Sequence, residues 1–113
     1  MRNMSFAFTT SQVKKGTKTV TRRMGWLNLK PGELVKPVEK AMGLKKGEKI
    51  KVIRGPIRIL NTRREPLNKI TKSDCTKEGF PDMQPKDFVQ MLCKYDKCKP
   101  EQLVTRIEFE YTD

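Results

Sequence analysis

The sequence predicts a single α+β domain over residues 1–113, in which a small mixed β-barrel is flanked by short helices. A chain of 113 residues matches the common size of one domain. Short runs of β-branched and aromatic residues recur between proline and glycine turns, which indicates five or six strands. Helical spacing is confined to three short segments. A strongly curved sheet would suit the same pattern, and an α+β sandwich is the alternative.

The strands are set apart by turns at Pro31-Gly32, Gly43–Gly47 and Gly55-Pro56. The predicted strands are Ser5–Phe8, Lys18–Arg23, Glu33–Val38, Lys49–Ile53, Ile57–Thr62 and Val104–Tyr111. The first would direct both Phe6 and Phe8 into the core. The last alternates apolar and charged residues, which is typical of a half-buried strand.

The first predicted helix is short, Thr10–Lys15. Thr9 stands at its N-cap position, and Gln12 follows with the spacing of a capping-box partner. Gly16, directly after two lysines, is a typical helix end.

Two further helices are predicted after residue 70. Thr71 and Asp74 can cap a short helix that ends near Gly79. The third begins at Pro85, a favoured first-turn residue, and continues to about Lys94. Its apolar residues share one face at spacings of three and four, and they are Phe88, Met91, Leu92 and Tyr95.

Positive charge is concentrated in the first part of the chain. The whole sequence holds 25 Lys+Arg against 13 Asp+Glu, a net charge of +12. Residues 1–64 hold 17 of the basic residues and only 3 of the acidic ones. Such a field attracts anions, which favours nucleic acid or a nucleotide as partner, although many soluble proteins are simply basic.

Several classes of protein are excluded or disfavoured by what the sequence lacks. Because there is no histidine, Ser-His-Asp and Cys-His catalysis and histidine metal sites are excluded. The three cysteines, Cys75, Cys93 and Cys98, lack a fourth soft ligand for zinc. Their odd number suits free thiols in a reducing cytoplasm. No apolar run is long enough for a membrane helix, and no signal peptide is evident. We expect a cytoplasmic monomer without metal or cofactor.

The densest polar cluster is the segment Gly16–Arg23. It holds one amine, three hydroxyl groups and two guanidinium groups within eight residues. One interpretation is a basic strand whose threonines serve β-propensity. The other is a ligand site, in which glycine lets the backbone approach the ligand.

Four motifs in this order resemble the ASCH domain family. The first is Gly-x-Lys-x-x-Thr-x-Arg, formed by Gly16, Lys18, Thr21 and Arg23, where most of the family has glutamate in place of Thr21. The others are the turn Lys30–Glu33, the run Asp74–Phe80 and a final Ile-x-Phe-x strand. The resemblance covers residues 5–111 and implies a PUA-like β-barrel.

A bacterial subgroup of that family also carries threonine at this position. Its members are N4-acetylcytidine amidohydrolases with a Lys-Thr-Glu triad, which the resemblance maps onto Lys18, Thr21 and Glu78. The implied substrate is a small nucleoside. The segment 39–56 is longer than in the compact hydrolases and would alter the rim of the pocket.

The chemistry of these residue types is consistent with amide hydrolysis. A threonine nucleophile needs a base, and lysine can serve when burial or cationic neighbours such as Arg22 lower its pKa. A carboxylate such as Glu78 can protonate the leaving nitrogen or orient water, and Arg23 or backbone N–H groups near Gly16 can hold the oxyanion. The predicted substrate-binding residues are Gly16, Arg22, Arg23 and Trp26. Trp26 is a candidate for stacking on a base, or else a core residue.

One geometric requirement follows from strand alternation. In a regular strand Lys18 and Thr21 would point to opposite faces. The triad therefore requires either that Lys18 lie in the loop before the strand or that a bulge separate the two. Non-catalytic RNA binding is the principal alternative function. A nuclease using the same cleft and an interaction protein of a phage or mobile element also remain open.

Overall fold

A computed structural model describes residues 1–113 and has five strands and three α-helices. In chain order the elements are β1 Arg2–Ser5, α1 Thr10–Lys15, β2 Val20–Arg23, β3 Leu34–Val38, β4 Ile57–Pro66, α2 Lys72–Lys77, α3 Pro85–Asp96 and β5 Leu103–Tyr111. Single 3₁₀ turns lie at Ala7–Thr9 and Leu67–Lys69. None of the helices combines the length and apolar character that a membrane span requires.

The strands form one mixed sheet in the order β1-β3-β4-β5-β2. β1 runs parallel to β3, and the other neighbouring pairs are antiparallel. The long β4–β5 pair is the centre of the sheet, with a bulge between Ile59 and Asn61. β4 pairs with β3 only at Leu34 and Val35, so Pro37 lies where no N–H is needed on that side.

The α+β class is confirmed, but the sheet is open and does not close into a barrel. β1 and β2 are its two edges and are not hydrogen-bonded to each other. The sheet nevertheless curves strongly. The curvature brings the Arg23 guanidinium, at the end of β2, to 4.8 Å from the ring centroid of Phe6, which follows β1. The gap between these edges is where the candidate site forms.

Two apolar clusters hold the sheet and helices together. One lies inside the curve of the sheet and contains Met4, Phe6, Val13, Leu29, Val35, Ile57, Ile59, Ile107 and Phe109. The other lies under α2 and α3 and contains Leu67, Ile70, Cys75, Phe88, Val89 and Val104.

The predicted helix signals are largely confirmed. α1 has the predicted bounds, and Gly16 ends it with φ 78°, a left-handed conformation that glycine adopts without strain. Thr71 caps α2 by accepting a hydrogen bond from the Asp74 backbone N–H. The predicted Thr9–Gln12 capping box is wrong, since the Thr9 side chain makes no cap hydrogen bond and Gln12 reaches the Gly79 carbonyl instead.

Three strand predictions need correction. β1 ends at Ser5, and a 3₁₀ turn follows, so Phe8 is 46% exposed while Phe6 is buried. The segment Lys49–Ile53 forms no strand beyond an isolated bridge from Val52 to Val38. β2 begins at Val20, two residues later than predicted, which leaves Lys18 in the preceding loop.

Candidate active site

A cavity of about 140 Å³ opens at the gap between the sheet edges. β2 and the loop before it form one side, and the 3₁₀ turn after β1, the end of α2 and one face of α3 form the rest. Its charged and hydroxyl groups include Lys18, Thr21, Arg22, Arg23, Glu78 and Asp96. Facing them is an apolar wall of Phe8, Phe80, Phe88, Met91, Leu92 and Tyr95. The cavity is thus polar on one side and aromatic on the other.

Two hydrogen bonds fix the backbone around Lys18 in the loop before β2, and the Lys18 side chain lines the cavity. The Thr19 N–H donates to the Lys77 carbonyl at 2.8 Å, which ties this loop to the end of α2. The Tyr111 hydroxyl donates to the Lys18 carbonyl from the opposite side. Since Lys18 precedes the strand, alternation does not apply to it, and both Lys18 and Thr21 line the same cavity.

Lys18 and Glu78 form a buried ion pair. The Lys18 Nζ atom donates to Glu78 Oε1 at 2.7 Å and to the Glu78 backbone carbonyl at 2.9 Å, and both residues are nearly inaccessible to solvent. Burial lowers the pKa of the Lys18 ammonium; Glu78 opposes this shift, while Arg23 and Arg22 add to it. Burial therefore favours the neutral amine of Lys18, while the adjacent Glu78 carboxylate favours the ammonium form.

Arg22 connects this pair to a second carboxylate. One of its terminal nitrogens donates to Glu78 Oε2 at 3.1 Å, and the other contacts both Asp74 and Glu65. Asp74 also accepts a hydrogen bond from Arg106, whose Nε atom lies 2.7 Å from Asp74 Oδ2. Hydrogen bonds from Arg106, reinforced by Arg22, hold the pKa of Asp74 well below its usual range. The result is a continuous buried network from Arg106 to Lys18.

Thr21 presents its hydroxyl group to the cavity beside Arg23. The Arg23 Nε atom donates to Thr21 Oγ1 at 3.0 Å, so the threonine oxygen accepts and its own proton stays available for donation. No hydrogen bond joins Thr21 to Lys18 in this structure. Arg23 is thus placed to stabilise negative charge that develops on the threonine oxygen.

The aromatic wall continues to the mouth of the cavity. Phe8 and Tyr95 have ring centroids 4.9 Å apart and are 46% and 54% exposed. The ring centroid of Phe80 lies 5.9 Å from the ring centroids of both Phe8 and the buried Phe88. Exposed aromatic rings that continue an internal apolar wall are typical of a surface that receives a planar ligand.

The cavity does not include all the residues that the sequence singled out. Gly16 ends α1, where a side chain would meet Arg54, and does not line the cavity. Trp26 lies outside it as well, packed against the core with Arg2 over its ring. Lys18, Thr21, Arg22, Arg23 and Glu78 do come together there.

Sequence reasoning missed the second half of the ionic network. Arg106 is one of the charged residues in the alternation of the last strand, yet it is buried against Asp74. One signal was available, because Asp74 and Glu78 are four residues apart and so share a helix face. Asp96 and Phe8 carried no signal that linked them to the cavity.

This arrangement can support acyl transfer. A hydroxyl nucleophile, an amine with a lowered pKa, a carboxyl group and a cationic donor surround one small cavity. These are the groups that covalent amide hydrolysis requires.

No protein-family model matches the sequence, and no curated protein matches it either. Solved structures do resemble it. Protein PH0355, described as hypothetical, superposes with a TM-score of 0.63 at 14% identity, covering 96% of this chain and 94% of that one. An ASCH domain from Lactobacillus crispatus superposes with a TM-score of 0.59 at 14% identity, covering 96% and 77% of the two chains.

A third similar structure is protein EF3133 from Enterococcus faecalis, described under the family DUF984. It superposes with a TM-score of 0.58 at 21% identity, covering 92% of this chain and 72% of that one. Together with the motif order in the sequence, these likenesses show that the chain has the fold of the ASCH domain family.

Proposed function

We propose that this protein hydrolyses the acyl amide on the exocyclic N4 of a cytidine-type nucleoside, converting N4-acetylcytidine to cytidine and acetate. The observation that carries the proposal is the buried Lys18–Glu78 pair, which shares a cavity with the Thr21 hydroxyl and faces an aromatic wall. A nucleobase has an apolar face for such a wall and a polar edge for the opposite side.

The first step forms an ester on Thr21. In the reactive form of the buried pair the amine of Lys18 is neutral and the shared proton lies on the Glu78 carboxyl, across their 2.7 Å hydrogen bond. Lys18 takes the Thr21 proton as the threonine oxygen attacks the acyl carbon. Arg23, already hydrogen-bonded to the threonine oxygen, favours loss of its proton, and its guanidinium is the proposed partner of the acyl oxygen, which carries the negative charge once the C–O bond forms.

The leaving group is the N4 amine of the base, which needs a proton to depart. The Glu78 carboxyl supplies it as the C–N bond breaks, so the step releases cytidine and leaves the Lys18 ammonium beside the Glu78 carboxylate. The carboxyl and amine have then acted as general acid and base, each contributing roughly 10²–10⁴-fold.

Water completes the cycle. Glu78 takes a proton from water as its oxygen attacks the ester carbon, and the Lys18 ammonium returns a proton to the departing Thr21 oxygen. The products are the restored threonine hydroxyl and acetic acid, which loses its proton to solvent. The neutral pair is regenerated, and no cofactor enters the balance.

The size of the cavity supports a small substrate. At about 140 Å³ it is well below the roughly 300–1,000 Å³ of sites that enclose drug-sized ligands. It suits a base with a short acyl group, and longer acyl chains would have to extend past the mouth. Since one chain supplies every group, we propose that the monomer is the active unit.

The decisive experiment is incubation with N4-acetylcytidine, followed by the absorbance change on conversion to cytidine. We expect turnover in the wild type and essentially none in Lys18→Ala or Thr21→Ala. Lys15→Ala, which removes an exposed lysine near the same loop, is the matched control and should keep full activity. Because the reactive form keeps one proton on the Lys18–Glu78 pair and burial lowers the pKa of Lys18, activity should fall at high pH as that proton is lost, through an apparent value below 10.5.

Full activity in folded Lys18→Ala would overturn this mechanism. Turnover by Thr21→Ala at the wild-type rate would instead show that water attacks directly. Retained partial activity in Thr21→Ser would fit a hydroxyl nucleophile.

RNA binding without catalysis is the second candidate, and the charge distribution favours it. Residues 1–64 carry 17 of the 25 basic residues, and the lysines of the loop 39–51 are exposed. If phosphates are the ligand, affinity for single-stranded RNA should fall steeply as salt rises, because binding releases counterions. Tight, salt-sensitive RNA binding with no turnover of acylated cytidine would favour this candidate.

A further inference from the structure

We propose that Asp96 selects the sugar of the substrate, with its carboxylate accepting hydrogen bonds from the ribose hydroxyl groups at the mouth of the cavity. The identity of the base rests on the proposed function, but the contact to the sugar is tested separately below. The consequence is a preference for a free ribonucleoside over a sugar-free base or a phosphorylated nucleotide.

Asp96 stands at the place where a sugar would emerge. It is the last residue of α3, directly after the rim residue Tyr95, and it lines the same cavity as Arg23. It is exposed, whereas Glu78, the other carboxylate of the cavity, is buried and ion-paired with Lys18 and Arg22. A base held in the cavity would direct its sugar outward, toward this mouth.

The Asp96 carboxylate has no partner within the protein. It forms no ion pair, although the chain has 25 Lys+Arg, and no side-chain hydrogen bond involves it. Both oxygens are therefore free to accept. Partial burial raises the pKa of this carboxyl, and the charge of Arg23 opposes the shift. A ligand that donates hydrogen bonds would add partners that the protein itself does not supply.

Helix stability does not explain an aspartate at this position. Carboxylates are unfavourable at the C-terminal end of a helix, where the helix dipole is negative. The acidic residue at the other end, Asp87, is the one that stabilises α3, since it completes a capping box with Gln84. A residue that opposes local stability while lining a cavity is a candidate for function.

The chemistry of the carboxylate defines what it can recognise. An ionised carboxylate only accepts hydrogen bonds, and the vicinal hydroxyl groups of ribose supply two donors. A phosphate ester has no donor to offer when fully ionised and is repelled by like charge. Asp96 thus favours ribose and disfavours a phosphate near it.

The experiment compares binding and hydrolysis across a matched ligand series. Binding of cytidine, 2′,3′-dideoxycytidine, cytosine and cytidine 5′-monophosphate is measured by calorimetry for wild type and Asp96→Asn. Asp82→Asn, another exposed aspartate that does not line the cavity, is the control. Hydrolysis of the corresponding N4-acetyl compounds is followed in parallel.

We expect wild type and the control to bind cytidine on the order of tenfold more tightly than the dideoxy ligand. Asp96→Asn should lose this preference and discriminate less against the monophosphate. Its melting temperature should stay level or rise, because a carboxylate leaves the helix C-terminus. A purely structural role would instead lower the melting temperature and weaken all ligands equally.

The outcomes separate this inference from the proposed function. Hydrolysis of every acetyl compound with no dependence on the sugar would overturn the role of Asp96 and leave the reaction intact. Sugar-dependent binding of cytidine without any hydrolysis would support Asp96 and sink the reaction. Absence of binding across the whole series would overturn the inference as well.

Discussion

Asp74 and Glu78 lie four residues apart on one side of α2 and both contact Arg22, yet they occupy different environments. Asp74 faces two arginines, Arg22 and Arg106, and does not border the cavity. Glu78 faces Arg22 and Lys18 and lines the cavity. The difference lies in the second partner: a guanidinium group for one carboxylate and an amine for the other.

That difference sets the two ion pairs apart in the chemistry that is available to each. A guanidinium stays protonated throughout the physiological range, so Asp74 is held as a fixed charge between two fixed charges. An amine whose pKa is lowered by burial loses its proton more easily, which is what the proposed reaction requires of Lys18. Arg22 is ion-paired with both carboxylates, and it contacts the Glu78 oxygen that Lys18 does not.

The largest expected effect is on activity, at the Glu78 end. Glu78→Gln keeps the shape of the side chain and removes the proton transfer, so turnover of N4-acetylcytidine should fall roughly 10²–10⁴-fold. Circular dichroism should show a folded protein. Wild-type turnover in this variant would mean that Glu78 is structural like Asp74, and the contrast between them would disappear.

The largest expected effect on stability is at the Asp74 end. Asp74→Ala leaves Arg22 and Arg106 buried without their shared counter-ion, which should cost about 3–5 kcal/mol of unfolding free energy. Urea denaturation measures this, with Asp82→Ala as an exposed control expected within about 0.5 kcal/mol of wild type. A loss of less than about 1 kcal/mol would contradict a structural role for the network.

Acid should weaken the Asp74 end of the network. The folded-state pKa of Asp74 lies below its ordinary value of 3.8, so the stabilisation it gives is complete above that pH and is lost as the pH falls toward the folded-state value. Denaturation midpoints should therefore decline below about pH 4. This decline should be shallower in Asp74→Asn, and an unchanged slope there would assign the acid sensitivity to other carboxyl groups.

The smallest expected effect concerns the apolar wall of the cavity, opposite the buried ionic network. Tyr95→Ala removes an exposed ring at the mouth and should raise KM about fivefold, corresponding to about 1 kcal/mol of lost stacking, with kcat little changed. Leu27→Ala, an exposed apolar residue away from the cavity, is the control. A change in kcat alone would show that Tyr95 acts on the chemistry rather than on binding.

Most of the helices and the central strands followed from local sequence patterns. The bounds of α1, the Thr71 cap of α2 and the start of α3 at Pro85 depend on capping and on proline, which are properties of neighbouring residues. The face of α3 that carries Phe88 and Tyr95 was evident from spacing alone, and it does line the cavity.

Other features depended on contacts between distant segments. β1 ends at Ser5 because a 3₁₀ turn follows, and this turn leaves Phe8 exposed. The turn contains no glycine or proline that would have predicted it from the sequence. The start of β2 at Val20 is fixed by hydrogen bonds from distant elements, among them Thr19 to Lys77. The open sheet likewise results from strand order, which strand patterns do not encode.

The sequence by itself determined the α+β class, the residue types of the candidate site and the absence of histidine chemistry. Only the tertiary structure decided that Lys18 is buried against Glu78, sixty residues away. It also decided that Asp74 and Arg106 are buried in the same ionic network. The physical reason is that burial and ion pairing are sums over neighbours in space. The pKa of Lys18 depends on what surrounds its amine, and its neighbours in sequence supply only part of that environment.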